Sequence, residues 1–177
     1  GEPCALPPSK KARALLCYLA TTGRAHRRDR LATLLWEQAA DPRASLRWTL
    51  TKLRGVVNEG VERIEADRDQ VHFIPRESQL DLAAVDKAVT AGLAEADVDT
   101  LRALAETFRG ELLEGVELSD HLEFQAWLVA ERERIRLQHV AVLTELLTRL
   151  SDEEDAESRD EAVDVARRLT RIDPLRE

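Results

Sequence analysis

Apolar positions recur every three to four residues as far as Val57, give way to a short alternating stretch, and then return to helical spacing. The first helical stretch runs from about Ser9 to Thr22, with Ala12, Leu15, Leu16 and Leu19 on one stripe. Pro7-Pro8-Ser9 introduces it and Gly23 ends it, because glycine readily takes the left-handed conformation of a helix C-terminus. A second stretch, from about Arg28 to Glu37, buries Leu31, Leu34, Leu35 and, at its edge, Trp36. Arg27 stands at its N-cap, where Ser or Asp would satisfy the exposed backbone N–H groups. A residue that costs helix stability there is a candidate phosphate contact.

The third helix, Asp41 to Val57, is the best marked. Asp41 can cap it and Pro42 suits its first turn. At about 100° per residue, Leu46, Leu50, Leu53 and Val57 fall within one narrow sector. Arg47, Trp48, Thr51 and Lys52 project from the other side, with Arg43 and Arg54 on the flank. A helix that packs by one face and offers Arg, Lys, Thr and an aromatic from the other could enter a DNA major groove. Many solvated helices share that pattern, so its surroundings decide.

Those surroundings change period. Val61, Ile64, Val71, Phe73 and Ile74 lie on either side of the polar turn Ala66-Asp67-Arg68-Asp69, which predicts a β-hairpin over 61–66 and 70–74. Three helices followed by a hairpin is the order of a winged helix-turn-helix domain, with the hairpin as the wing. Arg68 then stands at the tip, either solvated or reaching a phosphate or the minor groove. Pro75 and the polar run 76–79 close this unit.

Beyond it the pattern is helical throughout. Asp81 can cap a helix to about Ala91, and another is predicted from about Asp97 to Phe108. From Leu122 to Leu150 there is neither Gly nor Pro, and Asp120-x-x-Glu123 reads as a capping-box start. Phe124 and Trp127 fall at core spacing on this helix. Glu131–Arg134, Glu133–Arg136 and Glu145–Arg149 are favourable helical pairs, each modest in energy. Ser158-x-x-Glu161 is expected to begin a last helix towards Asp173-Pro174. The acidic run 151–155 lacks the alternating ligands and the Gly of a calcium loop, and reads as an exposed connection.

Charge sharpens this division. The net charge of −8 argues at first against a nucleic-acid partner, but residues 1–76 carry 14 Lys and Arg against 9 Asp and Glu. Residues 77–177 carry 12 against 25, so a basic part is joined to a strongly acidic one. That asymmetry fits an anion-binding module fused to a segment that avoids DNA.

The remaining chemistry mostly excludes. Cys4 and Cys17 have neither metal spacing nor a disulfide framework, and two reduced thiols in a cytoplasmic protein are expected. No apolar run approaches the roughly 18 residues of a membrane span, and no signal-peptide pattern opens the chain. His26, His72, His121 and His139 are scattered, without an H-E-x-x-H spacing. There is no Gly-rich phosphate loop and no G-x-S-x-G elbow. We therefore expect no enzyme, no metal and no cofactor.

Three segments, LPPSKKARALLCYLATTGRAHRRDRLATLLW, DPRASLRWTLTKLR and FRGELLEGVELSDHLEFQAWLVAERERIR, resemble one bacterial family. It comprises the regulators named after the antibiotic regulatory proteins of streptomycetes. Their head joins an OmpR-type winged helix to a bacterial transcriptional activation domain of tetratricopeptide-like helix pairs. Phe108–Glu133 is the most distinctive part, with RGELLEG followed by the run EFQAWLVAERER that ends at Arg134. RWTLTKLR further resembles heads of larger signalling regulators that carry a nucleotide-binding or cyclase-like module downstream.

The resemblance implies a mainly α protein: a winged helix-turn-helix over 1–76, then an all-α tetratricopeptide-like domain over 77–177. It makes Arg43–Arg54 the recognition helix, Arg24, Arg27 and Arg28 phosphate contacts, and Asp67–Asp69 the wing tip. The loop with Glu37, Gln38 and Asp41 corresponds to a segment through which related winged helices touch RNA polymerase. Two departures accompany it. Only GEPCALPP precedes the first helix, where the family carries a small antiparallel sheet, and IDPLRE stops where the family runs into another helix.

The expectation is a DNA-binding transcription regulator, an activator by resemblance. Its partners would be double-stranded DNA, RNA polymerase, a second copy of the chain and further domains of a longer parent, with no membrane. The alternative is a protein-interaction head whose winged helix no longer binds DNA. Trp48 fits either reading, since it can contact thymine methyl groups or pack against the helical part or a second chain.

Overall fold

Ser9 opens the first helix of the computed structural model, which describes residues 7–58, 61–75, 81–153 and 155–173. The Ser9 side chain accepts the Ala12 N–H at the head of α1 (Lys10–Thr22). Gly23 ends it at φ 59°, its N–H returning to the Leu19 carbonyl. A two-residue strand, β1 (His26–Arg27), precedes α2 (Arg28–Trp36), whose N-cap Arg27 makes no side-chain cap bond. Asp41 caps α3 (Pro42–Val57) by accepting the Ala44 N–H at 2.8 Å. Removing a good cap costs about 0.5–2 kcal/mol, so Asp41→Ala should lower the urea midpoint by that equivalent. An unchanged midpoint would mean that the cap contributes nothing to α3.

The hairpin follows as β2 (Ile64–Ala66) and β3 (Gln70–Phe73), shorter at both outer ends than the alternation predicts. Sequence patterning misses β1, because two residues are too few to show a period. It pairs antiparallel with β3, which lies between β1 and β2 and sets His26 opposite Val71 and Ile64 opposite Phe73. The Asn58 carboxamide oxygen accepts the N–H groups of Arg63 and Ile64 at 3.0 and 3.1 Å and fixes the exit from α3 into the hairpin. Under the sheet, Leu15, Leu19, Leu31, Leu35, Leu46, Leu53, Ile64 and Val71 are fully buried. Leu16 and Val57, expected on the stripes, are only half-buried.

Compactness divides the chain into two units. The first takes the residues up to Leu80 together with Leu113–Leu128, and the second takes Asp81–Leu112 and Val129–Glu177. This differs from the contiguous division at 76 and 77, because 113–128 clusters with the first unit. The long helix α6 (Leu122–Ser151) thus begins in one unit and continues in the other. In the first unit Phe124 is completely buried, and the half-buried Trp127 meets Tyr18 edge-on at 4.8 Å. Glu123 forms an ion pair with Arg30 of α2. That carboxylate therefore holds a neighbouring helix, where the sequence suggested a capping box.

The second unit holds α4 (Asp81–Ala91), a 3-10 turn at Leu93–Glu95, α5 (Val98–Ala105), the rest of α6 and α7 (Ala156–Ile172). α5 stops three residues short of Phe108, its N-cap Asp97 accepting the Thr100 N–H. α7 starts two residues before Ser158, with Asp155 as its N-cap. The Asp155 side chain accepts the Ser158 N–H at 2.9 Å, and the buried Ser158 hydroxyl binds Glu153. Part of the acidic run is thus spent on a helix end. Val85, Leu101, Leu104, Leu143, Leu146, Leu150 and Val165 form the core. Arg102 of α5 grips Glu161 of α7 through Nε and Nη2, and Arg134 of α6 pairs with Asp86 of α4. The fold is mainly helical with one small antiparallel sheet.

His139 stacks on Phe108 with ring centroids 4.2 Å apart, and burial, followed by the charge of Arg168, pushes its pKa down to about 4. An unfolded histidine titrates near 6.5, so between about pH 6.5 and 4 only the unfolded chain takes up this proton. The contribution is complete above about pH 6.5 and is lost as pH falls towards 4. Burial lowers His26 and His121 in the same sense. The melting temperature should therefore fall between about pH 7 and pH 5, and fall less in His139→Gln. Equal falls in both proteins would contradict a neutral, buried His139.

Candidate nucleic-acid interface

Burial of Leu46, Leu50 and Leu53 fixes the rotation of α3 about its axis. Arg47, Trp48, Thr51 and Lys52 are consequently all exposed on its other side. Trp48 remains 60% exposed. The Lys52 ammonium lies 3.6 Å from the centroid of the Trp48 ring, a cation–π contact across one helical turn. It orders two long side chains that would otherwise be loose on the surface. The Thr51 hydroxyl donates to the Arg47 carbonyl at 3.1 Å. Thr49, between them in sequence, is buried and donates to the Ser45 carbonyl, so its polarity is satisfied within the helix.

The flanking cations divide by what they hold. Arg43 pairs with Asp29 at 2.8 Å through both Nε and Nη2, joining the first turns of α3 and α2. Both groups are exposed, so the pair positions more than it stabilises. Arg54 is half-buried, its Nε donating to the Ile64 carbonyl at 3.1 Å with Glu62 3.9 Å away. Its guanidinium braces β2 instead of projecting with Arg47.

Arg28 donates through Nη1 to the Asp67 carbonyl at 3.1 Å, and its backbone N–H donates to the Asp69 carbonyl at 2.8 Å. The turn at the hairpin tip is therefore tied to the start of α2. Asp67 closes that turn by accepting the Asp69 and Gln70 N–H groups at 2.7 Å each. These bonds, Gln70 foremost, lower its pKa. Arg68 at the tip, Arg27 opposite Gln70 on β1, and Arg24 are exposed and form no ion pair among the described residues. Arg47 likewise forms none.

His26 beneath them is buried, with Nε2 2.7 Å from the Thr22 hydroxyl and its ring 4.9 Å from Tyr18. Burial first, then the charges of Arg24, Arg30 and His72, lower its pKa. It serves the packing of α1 against β1. Glu37, Gln38 and Asp41 are exposed between α2 and α3, although the Asp41 carboxylate is engaged as a helix cap.

No known family model matches the chain, and no curated protein matches it either. Among the described residues no group of three or more His, Cys, Asp and Glu side chains could hold a metal ion. No helix of the described residues is long and apolar enough to cross a membrane. What the first unit presents is one helix face of Arg, Trp, Thr and Lys, and a second group of arginines around the hairpin turn. Arg28, Arg43 and Arg54, grouped with the contact residues by sequence, each also bond another element of the first unit. Their partners Asp67, Asp29 and Ile64 are distant in sequence, so spacing along one helix gave no sign of them.

Proposed function

We propose that the chain is the DNA-binding head of a transcription regulator, with a winged helix-turn-helix in the first unit. α3 enters the major groove, and Arg24, Arg27 and Arg68 approach the flanking phosphates. The second unit corresponds to a tetratricopeptide-like activation domain that oligomerises, relays a signal or contacts RNA polymerase, the last together with Glu37 and Gln38. The observation that carries this reading is the split of α3. Arg47, Trp48, Thr51 and Lys52 are outward while the opposite face is fully used in packing. Arg and Lys suit guanine and phosphate, and Trp offers apolar contact to thymine methyl groups.

Fluorescence anisotropy with a random duplex tests it. Binding should weaken steeply with salt, the logarithm of affinity falling with a slope of about −4 to −5 if the five exposed cations Arg24, Arg27, Arg47, Lys52 and Arg68 each release counterions. Absence of binding at low salt would refute the reading. One observation favours a second reading, a protein-docking head: Trp48 borders a shallow surface cavity with Ser9, Lys11, Trp36 and Ala44. In that case the face would retain a protein partner and ignore DNA.

A further inference from the structure

The second unit carries a half-open cleft of about 880 Å³, within the range of small-molecule sites. Phe108, Val129, Ile135 and Ile172 supply apolar walls, and Val129 is left 64% exposed on α6. The charged groups around it are not equivalent. Arg132 is taken up by Glu111 and the Leu112 carbonyl, and Arg136 by Glu133. Arg109, exposed at the rim, forms no ion pair among the described residues. His139 also lines the cleft, and its Nε2 is buried without a hydrogen-bond partner. Native interiors rarely leave such an atom unsatisfied, so it is a position where a ligand or an ordered water gains a hydrogen bond. A mostly apolar cleft with one uncompensated cation and one buried polar atom suits a monoanion with a hydrophobic body. A multiply charged anion would meet Glu111 and Glu133 at the same rim.

We propose that this cleft binds a small amphipathic carboxylic acid, its apolar body against Phe108, Val129 and Ile135 and its carboxylate on Arg109. The site is independent of the DNA reading, since none of its residues belongs to the first unit. It would give the helical unit an effector to sense.

The test uses the whole protein and the fluorescent sulfonate 8-anilinonaphthalene-1-sulfonate, with decanoate as competitor. Saturable dye binding that decanoate displaces is expected. Arg109→Gln should weaken decanoate by about three- to tenfold, the loss of one partly exposed charge-assisted contact. Ile135→Trp should fill the cleft and abolish both. Val163→Asp, at an exposed apolar position elsewhere on α7, should change neither. Circular dichroism establishes that each variant is folded; if Ile135→Trp is not, Arg109→Gln decides. Dye that is not displaced by decanoate, or that binds equally well in Arg109→Gln and a folded Ile135→Trp, overturns the proposal. So does a cleft that takes up neither probe because another segment of the protein fills it.

Discussion

The double substitution Arg47→Ala/Lys52→Ala is expected to weaken duplex DNA binding by roughly one to two orders of magnitude at low salt, and to flatten the salt slope by about 1–2. Both side chains are exposed, and their removal touches neither the cap of α3 nor its buried stripe. The fold loses only the Lys52–Trp48 contact, worth about 0.5–1 kcal/mol at an exposed site. Stability and binding should therefore separate cleanly. Arg47→Ala alone then distinguishes two modes. A guanidinium that reads a base is worth about 1–3 kcal/mol on a specific site and much less on random sequence. Equal losses on both duplexes would assign Arg47 to the backbone. Undiminished binding by the double variant would remove α3 from the interface.

Phe124→Ala should cost the first unit about 3–5 kcal/mol, a large share of the stability of any small domain. Phe124 is completely buried, and its ring lies 5.3 Å from that of Trp127, which itself meets Tyr18 of α1. Alanine is the best helix former, so the loss would come from the cavity and not from α6 itself. Urea unfolding followed by circular dichroism should show the first unit's midpoint shifted strongly downward. A cost below about 1 kcal/mol would mean that 113–128 is not integral to the first unit's core.

Those two results concern features of unequal legibility. The α3 face was readable because a cap, a proline and a single stripe act within one helix, and local rules suffice for that. The same locality explains α1 and its Gly23 stop. The intramolecular partners of Arg28, Arg43 and Arg54 are not readable in that way. Each is anchored to a residue on another element, and only folding brings Asp67, Asp29 or Ile64 near. Strand β1 escaped because its two residues are specified by pairing with β3. The division at 113–128 escaped for a related reason. A continuous helix gives no sign that Phe124 and Leu128 serve one core while Leu143 and Leu146 serve another. The cleft at His139 also depends on residues from 108–112, α6 and α7, joined by nothing in the sequence pattern.

Whether DNA lies on the exposed face of α3, as proposed, can be measured directly through the three tryptophans. Trp48 is exposed on that face, Trp36 is buried at the cavity that Trp48 borders, and Trp127 packs on Tyr18. Their indole N–H resonances can be followed in one NMR titration with a short duplex. The Trp48 resonance is expected to shift in a salt-dependent manner while that of Trp127 stays nearly still. A duplex that binds the protein and leaves Trp48 unmoved would contradict the proposal.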